Sequence, residues 1–319
     1  MERIANGAMS ENRARTSLRR RALGGWYRNW RLYVLLAPVI VYFIVFHYVP
    51  MYGVQIAFKN FIAVEGITGS PWVGFAHFER FFNSYYFWRL LRNTIGISLY
   101  ELAVSFPVPI VLALMLNELR QEAFKRFVQT VTYAPHFLST VVLVGIVALF
   151  LSPHGGLVNH VLQWFGIGPI GFMTEPGWFK TIFVLSGVWQ QMGWSSIIYL
   201  AALAAVDPQQ HEAAIMDGAS RLQRVIHVNL PSIMPTIVIL LILNMGSIMS
   251  VGFEKVYLMQ NSKNIEASDV ISTYVYQTGI IGSQFSYAAA ISLFNSVINF
   301  VLLVGVNAAA RRMNETSLW

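Results

Sequence analysis

Six long apolar runs, separated by shorter polar stretches, organise this chain. They cover approximately residues 32–56, 93–117, 128–151, 181–205, 232–252 and 286–309. Each is long enough for the roughly 20 residues that a helix needs to cross a bilayer. Helices are expected because each one satisfies its own backbone hydrogen bonds in lipid. The pattern predicts an all-α integral membrane protein with six transmembrane helices in one domain, residues 32–312, between tails of residues 1–31 and 313–319.

Composition supports a membrane protein. The chain is 55% hydrophobic and only 12% charged, whereas a soluble domain has about 25% charged residues. No cysteine is present, so neither disulfides nor thiolate chemistry is expected. The net charge of +7 does not predict nucleic-acid binding, because the excess lies in the N-terminal tail and the short loops. The long basic segment and the length of the first apolar run argue against a cleavable signal peptide.

The basic residues predict how the helices are oriented. With the N-terminus inside, 15 of the 22 lysines and arginines fall on the inner side. By the positive-inside rule both termini are then cytoplasmic, and so is the polar stretch of residues 207–231. We interpret the arginines of the tail as a topology signal that also attracts lipid headgroups, rather than as a specific binding site.

The stretch of residues 207–231 has the signals of two capped helices rather than of a loop. Asp207 is a suitable N-cap, Pro208 suits the first helical position, and Gln210 stands where a capping box has its partner. Gly218 is suited to end this helix in a left-handed conformation. Ser220 and Gln223 form a second capping-box pattern, followed by a second short helix towards Leu230 and Pro231. We call residues 207–231 the elbow and predict that a partner docks on it.

The elbow resembles the EAA loop of permease subunits of ATP-binding-cassette importers, in the fuller form found in carbohydrate importers. Val228 stands where isoleucine is usual. The residues that match, and to which the resemblance assigns coupling to the ATPase, are Glu212, Ala213, Ala214, Asp217, Gly218, Ala219, Leu230 and Pro231. An amphipathic surface helix pair with no partner is the alternative interpretation.

The resemblance extends from about residue 30 to 312 and implies a type I importer in the cytoplasmic (inner) membrane. The second apolar run is similar to that of polysaccharide importers, including those for alginate: it has Arg92-Asn93-Thr94 near its start and two prolines within it. The implied partners are a second permease that is homologous but not identical, two ATPase subunits that hold ATP and Mg, an extracytoplasmic substrate-binding protein and membrane lipid. The permease itself is expected to bind no cofactor.

Polar and aromatic residues within the apolar runs are candidates for contacts with substrate. Aromatic faces pack against the C–H faces of sugars, and sugar hydroxyls need polar partners. By their location in the fourth and fifth runs and, for one acid, within the second, the candidates are Gln190, Gln191, Trp194, Asn244, Ser247 and Glu101. Such residues also hold helices together, so a structural role is the alternative for each.

Other functions have weaker support in the sequence. No phosphate-binding loop, HExxH or CxxC motif is present, so ATP hydrolysis is assigned to another chain. His77 and Glu79 could ligate a metal, but no third ligand is suitably spaced, so no metal site is predicted. The lack of basic residues in the predicted cavity argues against an anionic solute. A peptide importer, an ion-coupled secondary transporter, a membrane scaffold and a membrane-embedded hydrolase remain alternatives.

Overall fold

The computed structural model describes residues 30–312, and the two predicted tails lie almost wholly outside this range. The chain divides after residue 55 into two units. The helices of six or more residues are α1 (Trp30–Phe58), α2 (Ala76–Phe82), α3 (Phe87–Glu118), α4 (Glu122–Phe137), α5 (Thr140–Phe150), α6 (Leu157–Trp164), α7 (Pro176–Ala204), α8 (Pro208–Met216), α9 (Arg221–Met245), α10 (Phe253–Met259), α11 (Ile271–Tyr276) and α12 (Phe285–Arg312). Single helical turns also occur at Gly66–Gly69 and Ile265–Ser268, and a π-turn, Gln277–Ile281, follows α11. Over residues 30–312 the backbone pairs in a strand-like way only at one bridge, between Lys59 and Trp72.

Four of these helices, α1, α3, α9 and α12, are long and apolar enough to cross a membrane. A fifth crossing arises if α4 and α5 form one span, but these helices meet at a bend of 105°. Helix α7 has 29 residues, which is long enough to span, yet its glutamines and serines make it less apolar. The fold is therefore all-helical as predicted, and the count of six spans stays a prediction.

The bend between α4 and α5 corrects the expectation of one straight helix over residues 128–151. Pro135 lies in a tight 3-10 turn at the end of α4, where its ring excludes a regular helix. Ser139 then caps α5, because its hydroxyl accepts a hydrogen bond from the backbone N–H of Val142 at 3.4 Å. A proline followed by an N-cap separates the two helices.

The start of α3 is joined by hydrogen bonds to the segment before α11. Asn93, which is buried, donates to the carbonyls of Glu266 at 2.7 Å and Asp269 at 3.1 Å. The hydroxyl of Thr94 accepts from the backbone N–H of Ile271 at 3.0 Å. Arg89 forms a salt bridge of 2.6 Å with Asp269. Burial raises the pKa of the Asp269 carboxyl, and the hydrogen bond from Arg89 opposes this rise.

A second set of hydrogen bonds holds together the segment between α5 and α7. Asn159 in α6 is buried, and its side-chain amide donates to the carbonyls of Ser152 at 2.9 Å and Ile170 at 3.0 Å. Its oxygen accepts from the backbone N–H of Ile170 at 2.8 Å. These bonds close the chain around α6.

Helix α7 is the central element of the second unit and packs against α3, α4 and α9. The closest approach is at Gly193, where an added Cβ would lie 2.2 Å from the carbonyl oxygen of Thr132 in α4. Farther along α7, Tyr199 and Leu203 are buried with Ile110 of α3 and Ile233 of α9. Helix α7 therefore connects the interior of the unit to the elbow that follows it.

Candidate functional site

The first helix of the elbow, α8, begins where the sequence predicts. The side chain of Asp207 accepts a hydrogen bond from the backbone N–H of Gln209 at 2.9 Å, and Pro208 occupies the first turn. The predicted capping box at this end is wrong in detail: Gln210 contributes its backbone N–H, which donates to the carbonyl of Asp207 at 3.1 Å, and no reciprocal side-chain bond forms. The cap itself satisfies one of the free donors of the helix start.

Gly218 ends α8 and creates the turn of the elbow. Its φ is +78°, which is the left-handed region that favours glycine. The backbone N–H of Gly218 donates to the carbonyl of Ile215 at 3.0 Å, and that of Ala219 donates to the carbonyl of Ala214 at 2.9 Å. This pair of bonds is a Schellman motif. The turn is therefore fixed by hydrogen bonds and by a conformation that few other residues adopt.

The second helix of the elbow starts at a complete capping box and does not end within the elbow. The hydroxyl of Ser220 accepts from the N–H of Gln223 at 3.4 Å, and the side chain of Gln223 accepts from the N–H of Ser220 at 2.8 Å. The helix then continues through a π-turn, Val225–Asn229, into the membrane helix, so α9 runs unbroken to Met245. The expectation of a separate short helix ending near Pro231 is thus corrected: the wider turn accommodates a proline that has no N–H to donate.

The outer surface of the elbow is accessible and partly apolar. Glu212 and Ala213 are exposed, and the side chains of Met216 and Leu222 are 87% and 68% exposed. Between the two helices lies a notch of about 260 Å³, lined by residues of both. The notch includes Asp217 and Gly218. Exposed apolar side chains around a notch on a rigid turn are suited to docking a partner.

The C-terminal end of the elbow also contacts α3. Asn229 is fully buried, and its amide donates to the carboxylate of Glu118, the last residue of α3, at 3.4 Å. Leu230 packs against the buried cluster that contains Ile233 and Leu203. Residues at the end of the elbow thus contact both α3 and α7, and motion of the elbow would be passed to both helices.

A cavity of about 620 Å³ lies between α3, α7 and α9. Five of the six residues predicted to contact substrate line it: Glu101, Gln191, Trp194, Asn244 and Ser247. The sixth, Gln190, lies outside the lining, and its amide donates to the carbonyl of Leu138 at 2.9 Å. The structure therefore brings together residues from three separate apolar runs, while Gln190 joins α7 to the bend before α5.

Two serines of α3 add polar groups to the cavity that the sequence analysis missed. The hydroxyls of Ser98 and Ser105 are buried, and neither has a hydrogen-bond partner among residues 30–312. Both residues line the cavity. Buried hydroxyls without partners are costly, so a polar ligand or water in the cavity would satisfy them. The two serines are seven residues apart, which is two helical turns and places them on one face of α3. This spacing is the sequence signal that could have identified them.

His136 was also missed, and it positions two of the predicted residues. Its ring stacks on the indole of Trp194, with centroids 4.3 Å apart and planes 3° apart. Its Nδ1 lies 3.0 Å from the side-chain oxygen of Gln191, the geometry of a ring N–H donating to that oxygen. Trp194 remains 45% exposed, so one face of its ring is supported and the rest is open to a ligand. The tight turn around Pro135 brings His136 to this place.

His77 and Glu79, which were considered as metal ligands, both lie on α2. The Nε2 of His77 is 3.1 Å from the carbonyl oxygen of Lys59, which it contacts as a hydrogen-bond donor. Within residues 30–312 there is no group of three histidine, aspartate or glutamate side chains arranged to hold a metal ion.

Long apolar helices around a cavity with polar side chains are the arrangement expected of a membrane permease. Residues 105–315 match the family model described as the binding-protein-dependent transport system inner membrane component. This match covers more than half of the chain, so the protein belongs to that family. The resemblance noted in the elbow is thereby confirmed at the level of the family.

Relatives of known name cover nearly the whole chain. The chain is 44% identical to the polygalacturonan/rhamnogalacturonan transport system permease protein YteP of Bacillus subtilis, over 90% of each chain. It is equally similar, 44% over 92% of each chain, to the protein LplB of the same organism. Among solved structures, a chain of a bacterial ABC transporter involved in the import of the acidic polysaccharide alginate is 41% identical, with a TM-score of 0.86 over 92% of this chain and 100% of that one. The predicted fold is confirmed by this similarity.

Proposed function

We propose that this chain is the permease subunit of an ATP-driven importer that moves oligosaccharides across the cytoplasmic membrane. It receives them from an extracytoplasmic binding protein, and a second permease completes the pathway. Two ATPase subunits dock on the elbows and bind ATP with Mg²⁺, while the permease binds neither. Support comes from the names of the relatives and from an alginate transporter that was solved in complex with a pentasaccharide-bound periplasmic protein, to which this chain is 40% identical.

One structural observation carries the proposal. The elbow is joined without a flexible linker to α7 and α9, and both helices line the polar cavity. Capping bonds at Asp207, Gly218 and Ser220 make the elbow rigid. A force applied to Glu212 and its neighbours is therefore transmitted to Gln191, Trp194 and Asn244 on the cavity wall.

The transport cycle follows from this connection. Closure of the ATPase dimer on ATP moves the elbow as a lever, and α7 and α9 tilt so that the cavity opens outward. The binding protein then releases its sugar into the cavity, and hydrolysis restores the inward-open state. Such a cycle works only because ATP binds the two states of the complex with different affinities. Both termini and the elbow lie on the cytoplasmic side, in agreement with the distribution of basic residues.

The cavity offers the contacts that a sugar needs. Trp194 stacks against a C–H face of the sugar, supported from behind by His136. Gln191, Asn244 and Ser247, together with the hydroxyl of Ser98, provide hydrogen-bond partners around it. The names of the relatives include acidic polysaccharides. We therefore assign an acidic oligosaccharide as substrate, although the sequence analysis took the lack of basic residues in the cavity as an argument against an anionic solute.

The test is uptake by proteoliposomes that contain the permease pair, the ATPase and the binding protein. Oligogalacturonides should accumulate when ATP is enclosed, and uptake should stop when ATP is removed while ion gradients persist. Glu212→Lys should abolish uptake while the ATPase continues to hydrolyse ATP. Uptake that depends on an ion gradient and not on ATP would refute the proposal and favour a secondary transporter.

A further inference from the structure

Glu101 places a carboxyl group at one wall of the cavity. It is the only charged side chain among the described residues that line the cavity. Apolar side chains such as Leu102, Phe106 and Ile198 stand among the polar ones of the lining, so water screens this charge less than it would at the protein surface. An uncompensated carboxylate here would repel a sugar that carries carboxylates of its own. A cation close to Glu101 would offset this repulsion.

Lys255 is placed to provide that cation, although it does not line the cavity itself. A Cβ added at Gly187 would lie 3.1 Å from the Nζ of Lys255 and 4.0 Å from the Oε1 of Glu101. The ammonium and the carboxylate are therefore no more than about 7 Å apart, and both lie next to the place that a side chain at position 187 would occupy. Gly187 is one helical turn before Gln191 on α7, so the pair lies at the end of the cavity farthest from the elbow.

The position of the Lys255 ammonium is fixed by contacts with α7. The Nζ donates a hydrogen bond to the backbone carbonyl of Phe183 at 2.6 Å and lies 4.4 Å from the centroid of the Phe183 ring. Lys255 stands on α10, whose Val256 and Met259 are buried in the core cluster that also contains Phe183. These contacts hold the ammonium in place and leave further N–H groups to face Glu101.

We propose that Lys255 is a specificity-determining residue: it neutralises Glu101, so that the cavity admits an anionic sugar. This inference rests on the proposed function and adds the charge of the substrate to it. Lys255 acts on the substrate through its field rather than by forming part of the cavity wall. Loss of Lys255 alone leaves a net negative cavity, whereas loss of both charges leaves a neutral one.

The experiment compares Lys255→Met, Glu101→Gln and the double variant in the same proteoliposomes. Each is supplied with oligogalacturonides and with the same oligomers after methyl esterification, which removes their charge. Lys255→Met should lower uptake of the acidic oligomers at least tenfold and uptake of the esters less than twofold. The double variant should recover at least a third of the acidic uptake.

The outcomes separate this inference from the function on which it rests. The inference would be overturned if Lys255→Met lowered uptake of the acidic oligomers and of the esters equally. It would also be overturned if the double variant took up acidic oligomers as poorly as Lys255→Met. Either result would mean that Lys255 only stabilises the fold. Unchanged acidic uptake in Lys255→Met would also overturn it. A parent protein that imports only the esters contradicts the inference and leaves ATP-driven import standing. A parent that imports neither oligomer refutes the proposed function and the inference together.

Discussion

Replacement of Gly218 by valine tests whether the elbow must be rigid and correctly bent. The φ of +78° is unfavourable for residues with a Cβ by about 1–2 kcal/mol, and a β-branched side chain is among the least tolerated. No atom lies within 4 Å of an added Cβ, so the cost is conformational and not a clash. Since 1.4 kcal/mol corresponds to a factor of ten, the native turn should lose about tenfold or more in relative population.

The assay measures ATP hydrolysis and sugar uptake on the same proteoliposomes. Gly218→Val should lower the number of sugars imported per ATP about tenfold, while the protein still assembles in the membrane. Gly218→Asn is the matched control, because asparagine enters the left-handed region more readily than other residues with a side chain. Gly218→Ala should fall between these two.

The order of the three variants in sugars imported per ATP shows whether the left-handed turn is required. Coupling should decrease from glycine through asparagine and alanine to valine, following the cost of a positive φ. If valine and asparagine coupled equally well, the left-handed turn would not be required for transmission. Equal loss in all three variants would indicate that the partner packs against the glycine itself, and the argument from backbone conformation would be refuted.

Two further changes test the packing that forms the cavity. Gly193→Ala should destabilise the protein by about 1–3 kcal/mol, because its Cβ would lie 2.2 Å from the Thr132 carbonyl oxygen, whereas Gly177→Ala on the same helix meets no atom within 4 Å. Thermal unfolding in detergent should show a lower midpoint for the first variant only, and equal midpoints would contradict the close crossing. His136→Ala should raise the sugar concentration for half-maximal uptake by up to about tenfold, since stacking against Trp194 contributes about 0.5–1.5 kcal/mol. An unchanged half-maximal concentration would show that sugar binding does not depend on the stacking of His136 against Trp194.

The elbow was largely predictable because its signals are local. The capping box joins Ser220 to Gln223, and Gly218 ends a helix through hydrogen bonds to the turn just before it. Each signal involves residues only a few positions apart, so their spacing in the sequence predicts the shape of the turn. The continuation of the second helix into α9 was not predicted. Pro231 indicated a boundary, but the π-turn that accommodates it leaves no clear signal in composition.

The cavity was predictable only in part because it depends on how distant helices pack. Gln190 and Gln191 are neighbours in sequence, yet a rotation of about 100° between successive residues of a helix sends one to the bend before α5 and the other to the cavity. His136 belongs to a turn that follows from Pro135, and its stacking on Trp194 requires the bend of 105°. Hydrophobic periodicity describes single helices and carries no information about such a bend.

The central claim is that a separate ATPase binds the elbow, and cross-linking tests it most directly. The chain has no cysteine, so a single one at Met216, which is 87% exposed, is a specific probe. Val64→Cys, at a side chain that is 97% exposed and lies on the predicted outer side, is the control. A short bifunctional reagent with one thiol-reactive and one amine-reactive end should join Met216→Cys to the ATPase with a yield that changes when ATP is added, and Val64→Cys should give no such product. A cross-link to the ATPase from position 64, or none from position 216 in an assembled complex, would contradict the account.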